Sequence, residues 1–446
     1  MSELTEKPTK KRDPKLISFY QVLVNTLVAN ITTSFLWFAL TFWVYLETKS
    51  VLATGIIGGA YMLLIAFCAI WFGTLVDHYK KKRIMIIASS STLIAFLAAG
   101  ILFLAIPESQ MLTLTQPFFW IFALIILAGA VVENMRNIAL STTVTLLVNK
   151  EKRANANGLV GAVQGIGFII TSVFSGLAIG FLGMGITLLI AIILTAAAFM
   201  HMLFVDIPEK GIAHDPELAN KKIDIKGSIA AIRLIPGLFA LIFFSMLNNF
   251  IGGVYMALMD PYGLTIFSVQ AWGIVFGVAG TGFIIGGLLV AKFGLGKNPI
   301  RTLLRMAVIM GLLGAFFTIR EWWLLYAAGI WLYMVLIPVM EAAEQTIIQR
   351  VVPYQRQGRV FGFAQALESA AAPLTAFAIA PIAQFWIIPF MSEAENQASF
   401  SWLLGTGETR GIALIFLVSG LVMVTIALLA FLTKSYRNLS ASYQKS

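Results

Sequence analysis

The sequence predicts an all-α integral membrane protein with twelve transmembrane helices, arranged as two pseudo-symmetric six-helix bundles. Three observations lead there. The chain of 446 residues is 59% hydrophobic and only 12% charged, about half the charge of a soluble domain. Its apolar residues fall into runs that can cross a hydrocarbon core as helices, which takes about 20 residues, and that are too long for barrel strands. Its lysines and arginines concentrate on alternate links between those runs, the bias that orients helices with their basic links in the cytoplasm.

The twelve predicted spans are 18–46, 51–72, 84–106, 117–148, 155–182, 184–205, 236–258, 268–291, 302–319, 322–349, 358–385 and 411–433. All but four of the 31 lysines and arginines lie on the two tails, on the even-numbered links, or in the first turn of the span that follows such a link (Arg305, Arg359). The exceptions are Lys49, Arg320 and Arg410 on the opposite links, and Arg136 inside the fourth span. Both termini are therefore expected in the cytoplasm. The N-terminal tail is polar and basic (Lys7, Lys10, Lys11, Arg12, Lys15), and the run that begins near Phe19 is too long for the apolar part of a signal peptide, so it reads as the first membrane helix. The longest polar stretch, from Val205 to Ile235, separates six spans from six. Its tail, Ile225 to Leu234, is expected as a short amphipathic helix on the inner face. The expected organisation is a tail (1–17), a six-helix bundle (18–205), a central cytoplasmic loop (206–235), a second bundle (236–433) and a C-terminal tail (434–446).

Several function classes drop out. The net charge of +10 is spread over links, as orientation requires, and does not argue for nucleic acid. The single cysteine, Cys68, lies in an apolar run, so there is no disulfide framework. His78, His201 and His214 are scattered with no metal-site spacing. Gly296-Lys297 is followed by Asn298 and has no glycine five residues earlier, so no P-loop exists; no potassium-filter motif occurs either. An enzyme is not expected, nor a cofactor. Without a nucleotide site the natural energy source is an ion gradient: one proton falling through 100 mV supplies about 2.3 kcal/mol.

The two halves carry weak internal repeats. Gly73-Thr-Leu-Val-Asp77 recurs as Gly287-Leu-Leu-Val-Ala291, keeping the glycine and losing the acid. Arg153 to Gly158 faces Gln357 to Gly362, and Glu133 with Arg136 faces Glu341 with Glu344. The matches keep the same order, as expected for duplicated halves with a site between them.

The most informative stretch runs from Trp71 to Arg83. An apolar run ends at Gly73, Asp77 follows, then four consecutive basic residues, Lys80 to Arg83, and a new apolar run starts at Ile84. A link this short forces a tight helical hairpin. Asp77 is suited to accept hydrogen bonds from a neighbouring helix N-terminus, where the dipole favours an anion. The basic cluster fixes the link in the cytoplasm and can meet anionic headgroups. Gly73, Leu75, Asp77, Lys81 and Lys82 match the signature between helices 2 and 3 of the major facilitator superfamily, which the chain resembles along essentially its whole length. Lys80 departs from the signature, standing where that family has glycine. Gly158, Gly161, Gly165 and Gly167 make a small-residue face on the fifth span, with a GxxxG step suited to close helix packing. This is similar to the glycine-rich helix 5 of the family's antiporters, with Ile166 in place of the expected proline.

Ionisable residues inside spans carry the sharpest chemistry, because a charge at the bilayer centre costs roughly 2.5–3.5 kcal/mol. Glu133 and Arg136 share one face of the fourth span and suit either a neutralising ion pair or a coupling site; Glu341 and Glu344 share a face of the tenth span, and Glu368 lies in the eleventh. Glu341 and Glu344 have no nearby basic partner in sequence, so burial and mutual repulsion disfavour their charged forms. These five are the candidates for proton coupling and for meeting cargo charge. Asn25, Asn30, Gln164, Asn248, Asn249, Gln345 and Gln365 are candidates to line a cavity or to bond between helices.

Within the superfamily, Leu147 to Asn155 and Gln357 to Gly362 look like the drug:proton antiporter branch that includes bacterial macrolide-efflux proteins. The resemblance implies proton-driven export of small lipophilic compounds by alternating access, in a bacterial cytoplasmic membrane, by a monomer among lipids, with Asp77 and the basic link acting in gating. A lipid or lysophospholipid flippase of the same fold, a solute-uptake symporter, and a non-transporting receptor or assembly factor are the alternatives.

Overall fold

The computed structural model describes residues 13–48, 51–111, 113, 115–209, 225–407 and 409–445. The basic residues Lys7 to Arg12, Lys49, and the central stretch 210–224 with His214 lie outside the described residues.

In a bilayer every backbone amide must find its partner inside its own segment, so apolar runs become helices. Five long helices make up most of the described N-terminal half: α1 (Pro14–Thr48), α2 (Val51–His78), α3 (Lys81–Ala105), α4 (Pro117–Leu147) and α5 (Arg153–Phe204). After the short α6 (Ile225–Arg233) come α7 (Leu238–Ile266), α8 (Val269–Phe293), α9 (Pro299–Phe316), α10 (Trp323–Val351) and α11 (Gln357–Ile382), then α12 (Ala394–Leu404), α13 (Arg410–Leu432) and α14 (Lys434–Lys445). Pro117 opens α4 and Pro299 opens α9, positions where the missing N–H costs nothing. Asn298 caps α9 by accepting from the Arg301 amide at 3.1 Å, and Ser268 caps α8.

Eleven of these helices are long and apolar enough to cross a membrane. One of them, α5, is really two crossings. At 52 residues it would be roughly 78 Å long if straight, far beyond a core of about 30 Å. The chain turns back at Gly183, whose φ of 71° and ψ of 176° are non-helical. The limbs 153–182 and 184–204 thus give twelve crossings, divided where the sequence placed the boundary. Large apolar side chains on the outside, such as Leu104 and Phe181, are more than four-fifths exposed in the protein alone, as a lipid-facing surface requires.

Two boundaries differ from the sequence expectation. Helix α7 runs on to Ile266, so Asp260 is helical and its Oδ1 accepts from Trp272 Nε1 at 2.9 Å. The link after the eleventh span is not loop: α11 passes into a π-helical turn (Ala383–Ile387) just after Pro381, then a short helix (Ile388–Ser392) and α12. Arg410, read as a link charge, is 1% exposed. It donates to the Leu404 carbonyl at 2.6 Å and pairs with Glu321 at 3.0 Å, while Arg320 donates to the Trp402 carbonyl at 3.0 Å. Two cations thus satisfy the C-terminal carbonyls of α12, where the helix dipole favours them.

The halves meet along two seams, α2 against α11 and α5 against α8. One apolar core joins the halves at the end that carries the α2–α3 link (Val76, Leu147, Val290, Ile347, Val360) and fills the C-terminal half. A second core (Leu40, Trp43, Phe96, Phe122, Leu188) is confined to the far end of the N-terminal half. Both seams are lined by glycine. A Cβ on Gly358 would lie 2.6 Å from the Gly73 carbonyl oxygen, and one on Gly287 would lie 2.6 Å from both the Gly158 oxygen and Ala162 Cα. These contacts need bare backbone.

Gly183 and Gly287 predict different outcomes for the same substitution. At Gly183 nothing lies within 4 Å of an added Cβ, so Gly183→Ala costs only the backbone term for a positive φ with extended ψ, about 1–3 kcal/mol, and lowers the unfolding midpoint read by tryptophan fluorescence. Gly287→Ala instead pushes α5 from α8. Its expected sign is faster alkylation of a cysteine placed at buried Val144, in a Cys68→Ala background. Equal behaviour of the two variants in both assays contradicts the seam geometry.

Candidate functional site: a sealed end and a central cavity

The link end of the molecule is closed by two polar latches. Asp77, at the last turn of α2, is 2% exposed. It accepts from the Gly358 amide at 2.6 Å, the Arg359 amide at 3.0 Å and Arg359 Nε at 3.3 Å. An acid of the N-terminal half thus sits on the N-terminus of α11, held by its orphan amides and dipole. Around it, Lys81 is fully buried, donates to the Val76 carbonyl at 2.7 Å and pairs with Glu209 at 3.5 Å. Glu209 also accepts from the Lys81 amide at 2.7 Å and from the Tyr354 hydroxyl at 2.8 Å. The segment after α5 is thereby tied to both halves. Lys82 donates to the Leu203 carbonyl at 3.0 Å, and Leu75 is half-buried against the main core. Lys80 has φ −57° and ψ 137°, so this position makes no demand for glycine.

The second latch lies where α5 begins. Arg153 donates to the Gln349 carbonyl at 2.7 Å. Asn157 donates to Thr346 and to Gln349 Oε1, both at 2.9 Å, and Gln349 donates to the Ser141 carbonyl at 2.9 Å. Beside it, Asn155 donates to the Ala291 carbonyl at 2.8 Å. Ala291 is the residue that replaces the acid in the second repeat, so a side-chain amide on α5 serves the seam where Asp77 serves the other. Sequence reading passed over Glu209, Asn157, Thr346, Gln349 and Tyr354. Asn157 lies inside the Arg153 to Gly158 repeat, the other four belong to no motif, and burial marks all of them except the half-buried Tyr354.

Above the seal is a cavity of about 290 Å³ walled by the N-terminal half, with Asn30, Glu133, Asn134, Asn137 and Gln164 among apolar residues such as Phe38 and Phe168. A smaller cleft adjoins it through shared residues Leu140, Val160 and Gln164 and reaches Glu341 and Gln345 on α10. Gln365 of α11 donates to Asn134 of α4 across the halves. Asn25 is not on the wall: it is 1% exposed and bonds the Ala198 carbonyl and His201. Asn248 and Asn249 line neither space; Asn249 donates to the Ser245 carbonyl of its own helix at 3.1 Å.

The five embedded ionisable residues fall into two groups. Glu133 and Arg136 form an ion pair, both within 2% of full burial, and Arg136 also bonds Asn25 and Ser89, while Thr92 donates to Glu133 at 3.1 Å. This pair links α1, α3 and α4. The other three gather between α7, α10 and α11. Ser245 donates to Glu344 at 2.7 Å, Glu368 reaches Glu344 from α11, and Glu341 faces the inter-half cleft. Oε1 of Glu344 and of Glu368 are buried without a donor. Among the described residues no cation pairs with any of the three.

Two outcomes follow from these arrangements. Asp77→Asn swaps an acceptor for an amide that presents N–H to the N–H groups of α11; three hydrogen bonds to a charged group, each worth about 1.5–3 kcal/mol, are weakened. Val144→Cys in the cleft then alkylates at least about tenfold faster in the purified protein, and an unchanged rate would mean the latch does not hold the seal. Glu133→Gln strands the Arg136 charge, a loss of about 3 kcal/mol or more, so the unfolding midpoint falls; an unaltered midpoint would mean the pair does not brace the bundle.

Comparison with known proteins agrees with this architecture. The Major Facilitator Superfamily matches residues 22–376. Macrolide efflux protein A of Streptococcus pyogenes is 24% identical over 373 residues, covering 80% of this chain and 87% of the relative. The human organic anion transporter MFSD10 (TETRAN) superposes with a TM-score of 0.67 at 14% identity, covering 96% of this chain and all of that one. The E. coli fucose:proton symporter FucP (N162A) superposes with a TM-score of 0.67 at 11% identity, covering 94% and 99%. With twelve membrane crossings in two halves and the match over residues 22–376, the chain belongs to the Major Facilitator Superfamily of membrane transporters.

Proposed function

We propose that this transporter exports small lipophilic compounds in exchange for protons, by alternating access, from a bacterial cytoplasm, working as a monomer with both termini and the α2–α3 link on the inner side. The observation that carries the proton coupling is the carboxyl cluster of Glu341, Glu344 and Glu368. Glu344 and Glu368 turn oxygens toward each other with no cation between them. Two carboxyl groups so placed in a poor dielectric need a proton between them, and losing it leaves an uncompensated charge. The cluster therefore suits a group that takes up and gives back protons as the helices move. Glu341 is open to the cleft, which supports reading it as the group that meets cargo charge.

Export of lipophilic cargo draws on the cavity wall, where amides are few and apolar residues many, and on the likeness to a macrolide efflux protein. In this reading the sealed link end is the inner gate, closed by Asp77 and Arg153. The gradient is the sole energy source and no cofactor takes part.

One observation favours a second reading. A cleft of about 560 Å³ opens sideways between α1 and the two limbs of α5, walled by apolar residues including Ile31, Phe35, Phe174 and Phe181. Ile31 also lines the central cavity. Such a side opening suits cargo arriving from the bilayer, as a lysophospholipid would.

The deciding measurement is flux of ethidium or Hoechst dye in proteoliposomes under an imposed pH gradient, with Glu341→Gln, Glu344→Gln and Glu368→Gln beside the parent. Gradient-driven flux in the parent, lost in at least one of these, is expected. Gradient-driven flux that persists in all three sinks the coupling role. Absence of dye flux together with movement of labelled lysophospholipid selects the second reading.

A further inference from the structure

A cavity of about 610 Å³ lies at the link end, outside the two latches and the central cavity. Its walls come from both halves. Lys150, Glu151 and Asn155 come from the start of α5 and the turn before it. The turn from Phe293 to Pro299 contributes Lys297, α10 contributes Arg350, and α14 contributes Tyr443. Three of its side chains are cationic and Glu151 is the single acid. Arg153 stands close enough to Arg350 for the two guanidinium groups to repel. These two arginines belong to opposite halves, so closing the seal brings like charges together; the Glu151 carboxylate offsets part of this at Arg153, and an anion bound between the halves would offset more.

Two independent features mark the site as built for a ligand. Arg350 packs its guanidinium 4.9 Å from the Tyr443 ring centroid and donates a hydrogen bond to the Tyr443 hydroxyl, while its Nε atom is buried without a partner. An N–H buried without an acceptor costs free energy that a bound anion would recover. Opposite it, the α8–α9 turn is shaped by Gly294 and Gly296, with φ of 70° and 74°. These left-handed residues carry Lys297 to the cavity wall; no Cβ clash is at stake at Gly296, where nothing lies within 4 Å.

We propose that this cavity binds a phosphate group, carried by an anionic lipid headgroup or free in solution, and that the bound phosphate bridges Lys150, Lys297 and Arg350 and so stabilises the sealed link end. The chemistry is that of a planar guanidinium and two ammonium groups converging on a tetrahedral anion. The effect is directional. Because the cations come from opposite halves, the anion is held best when the halves are closed, and it shifts the equilibrium by its differential affinity for that state. The inference does not depend on which cargo the transporter carries or on whether protons drive it.

The test uses the purified full-length chain in detergent with three probes: dioctanoyl phosphatidylglycerol, dioctanoyl phosphatidylcholine and sodium phosphate. The readouts are the tryptophan-fluorescence unfolding midpoint against probe concentration, and the alkylation rate of Val144→Cys in a Cys68→Ala background. The phosphatidylglycerol probe should raise the midpoint saturably and slow alkylation. Lys297→Gln and Arg350→Gln should each weaken the apparent affinity about tenfold or more. Lys297 is exposed, so its variant keeps the question open if Arg350→Gln fails to fold. Saturation with sodium phosphate as well shows that the phosphate group suffices; saturation with phosphatidylglycerol alone assigns the lipid headgroup. The general stabilising effect of phosphate salts is the same in parent and variants and so cancels. No saturable rise with either net-anionic probe, an equal rise with zwitterionic phosphatidylcholine, unchanged affinity in the variants, or stabilisation without slower alkylation would overturn the proposal.

Discussion

The contact on which the rest depends is the seating of one buried carboxylate on the start of a helix from the other half. Asp77 has three donors, all from Gly358 and Arg359, and it lies where α2 can reach α11 only because Gly73, Gly358 and Gly362 leave backbone against backbone. The polar and steric parts need each other. Without the glycines the carboxylate would stop short of the amides, and without the carboxylate the close approach would leave unpaired N–H groups in a dry seam. The same logic recurs at the second seam with a neutral partner, where Asn155 answers the Ala291 carbonyl.

This closure is made of separable pieces, as the proposed alternating-access cycle requires. Side-chain hydrogen bonds to backbone carbonyls, amides and a few polar side chains can break and re-form with modest net cost, whereas the apolar packing inside each half is costly to disturb. The seal therefore concentrates its specificity in polar contacts (Asp77, Glu209, Arg153, Asn157, Gln349) and leaves the internal cores of the halves intact. Glu209 adds a constraint from outside the bundles, because it ties the segment after α5 to both Lys81 and Tyr354. A movement of one half is in this way felt by the segment that joins it to the other.

The embedded charges show how neighbouring helices can divide one residue type into two kinds of use. Glu133 is neutralised by Arg136 and braced by Thr92, so it is bound into the frame of the N-terminal half. Glu344 and Glu368 have a serine, each other and, among the described residues, no cation. The difference is not visible in the spacing, since both pairs of ionisable residues on α4 and α10 are three apart. It comes from what the neighbouring helices present: α1 and α3 bring Asn25 and Ser89 to the first, while α11 brings a further acid to the second.

The sequence by itself determined that the chain is a membrane protein of twelve crossings, where most of the crossings begin and end, and that Gly73, Asp77, Glu341, Glu344 and Glu368 are out of the ordinary. Those conclusions rest on local physics: the hydrocarbon core demands long apolar runs, and charge in it is costly wherever the helix goes. The break between the fifth and sixth crossings was legible for the same reason, since the run is too long for one. What only the tertiary structure decided is partnership. That Asp77 would suit helix N-terminal donors follows from its charge; that α11 supplies them depends on how two halves close. Asn25 turned inward to Arg136 rather than lining the cavity, Arg410 was buried on α12 rather than left on a link, and Glu209, Asn157 and Gln349 became latches without any local signal. Hydrogen-bond partners separated by a hundred residues or more are set by helix packing, and a single sequence carries no record of which faces meet.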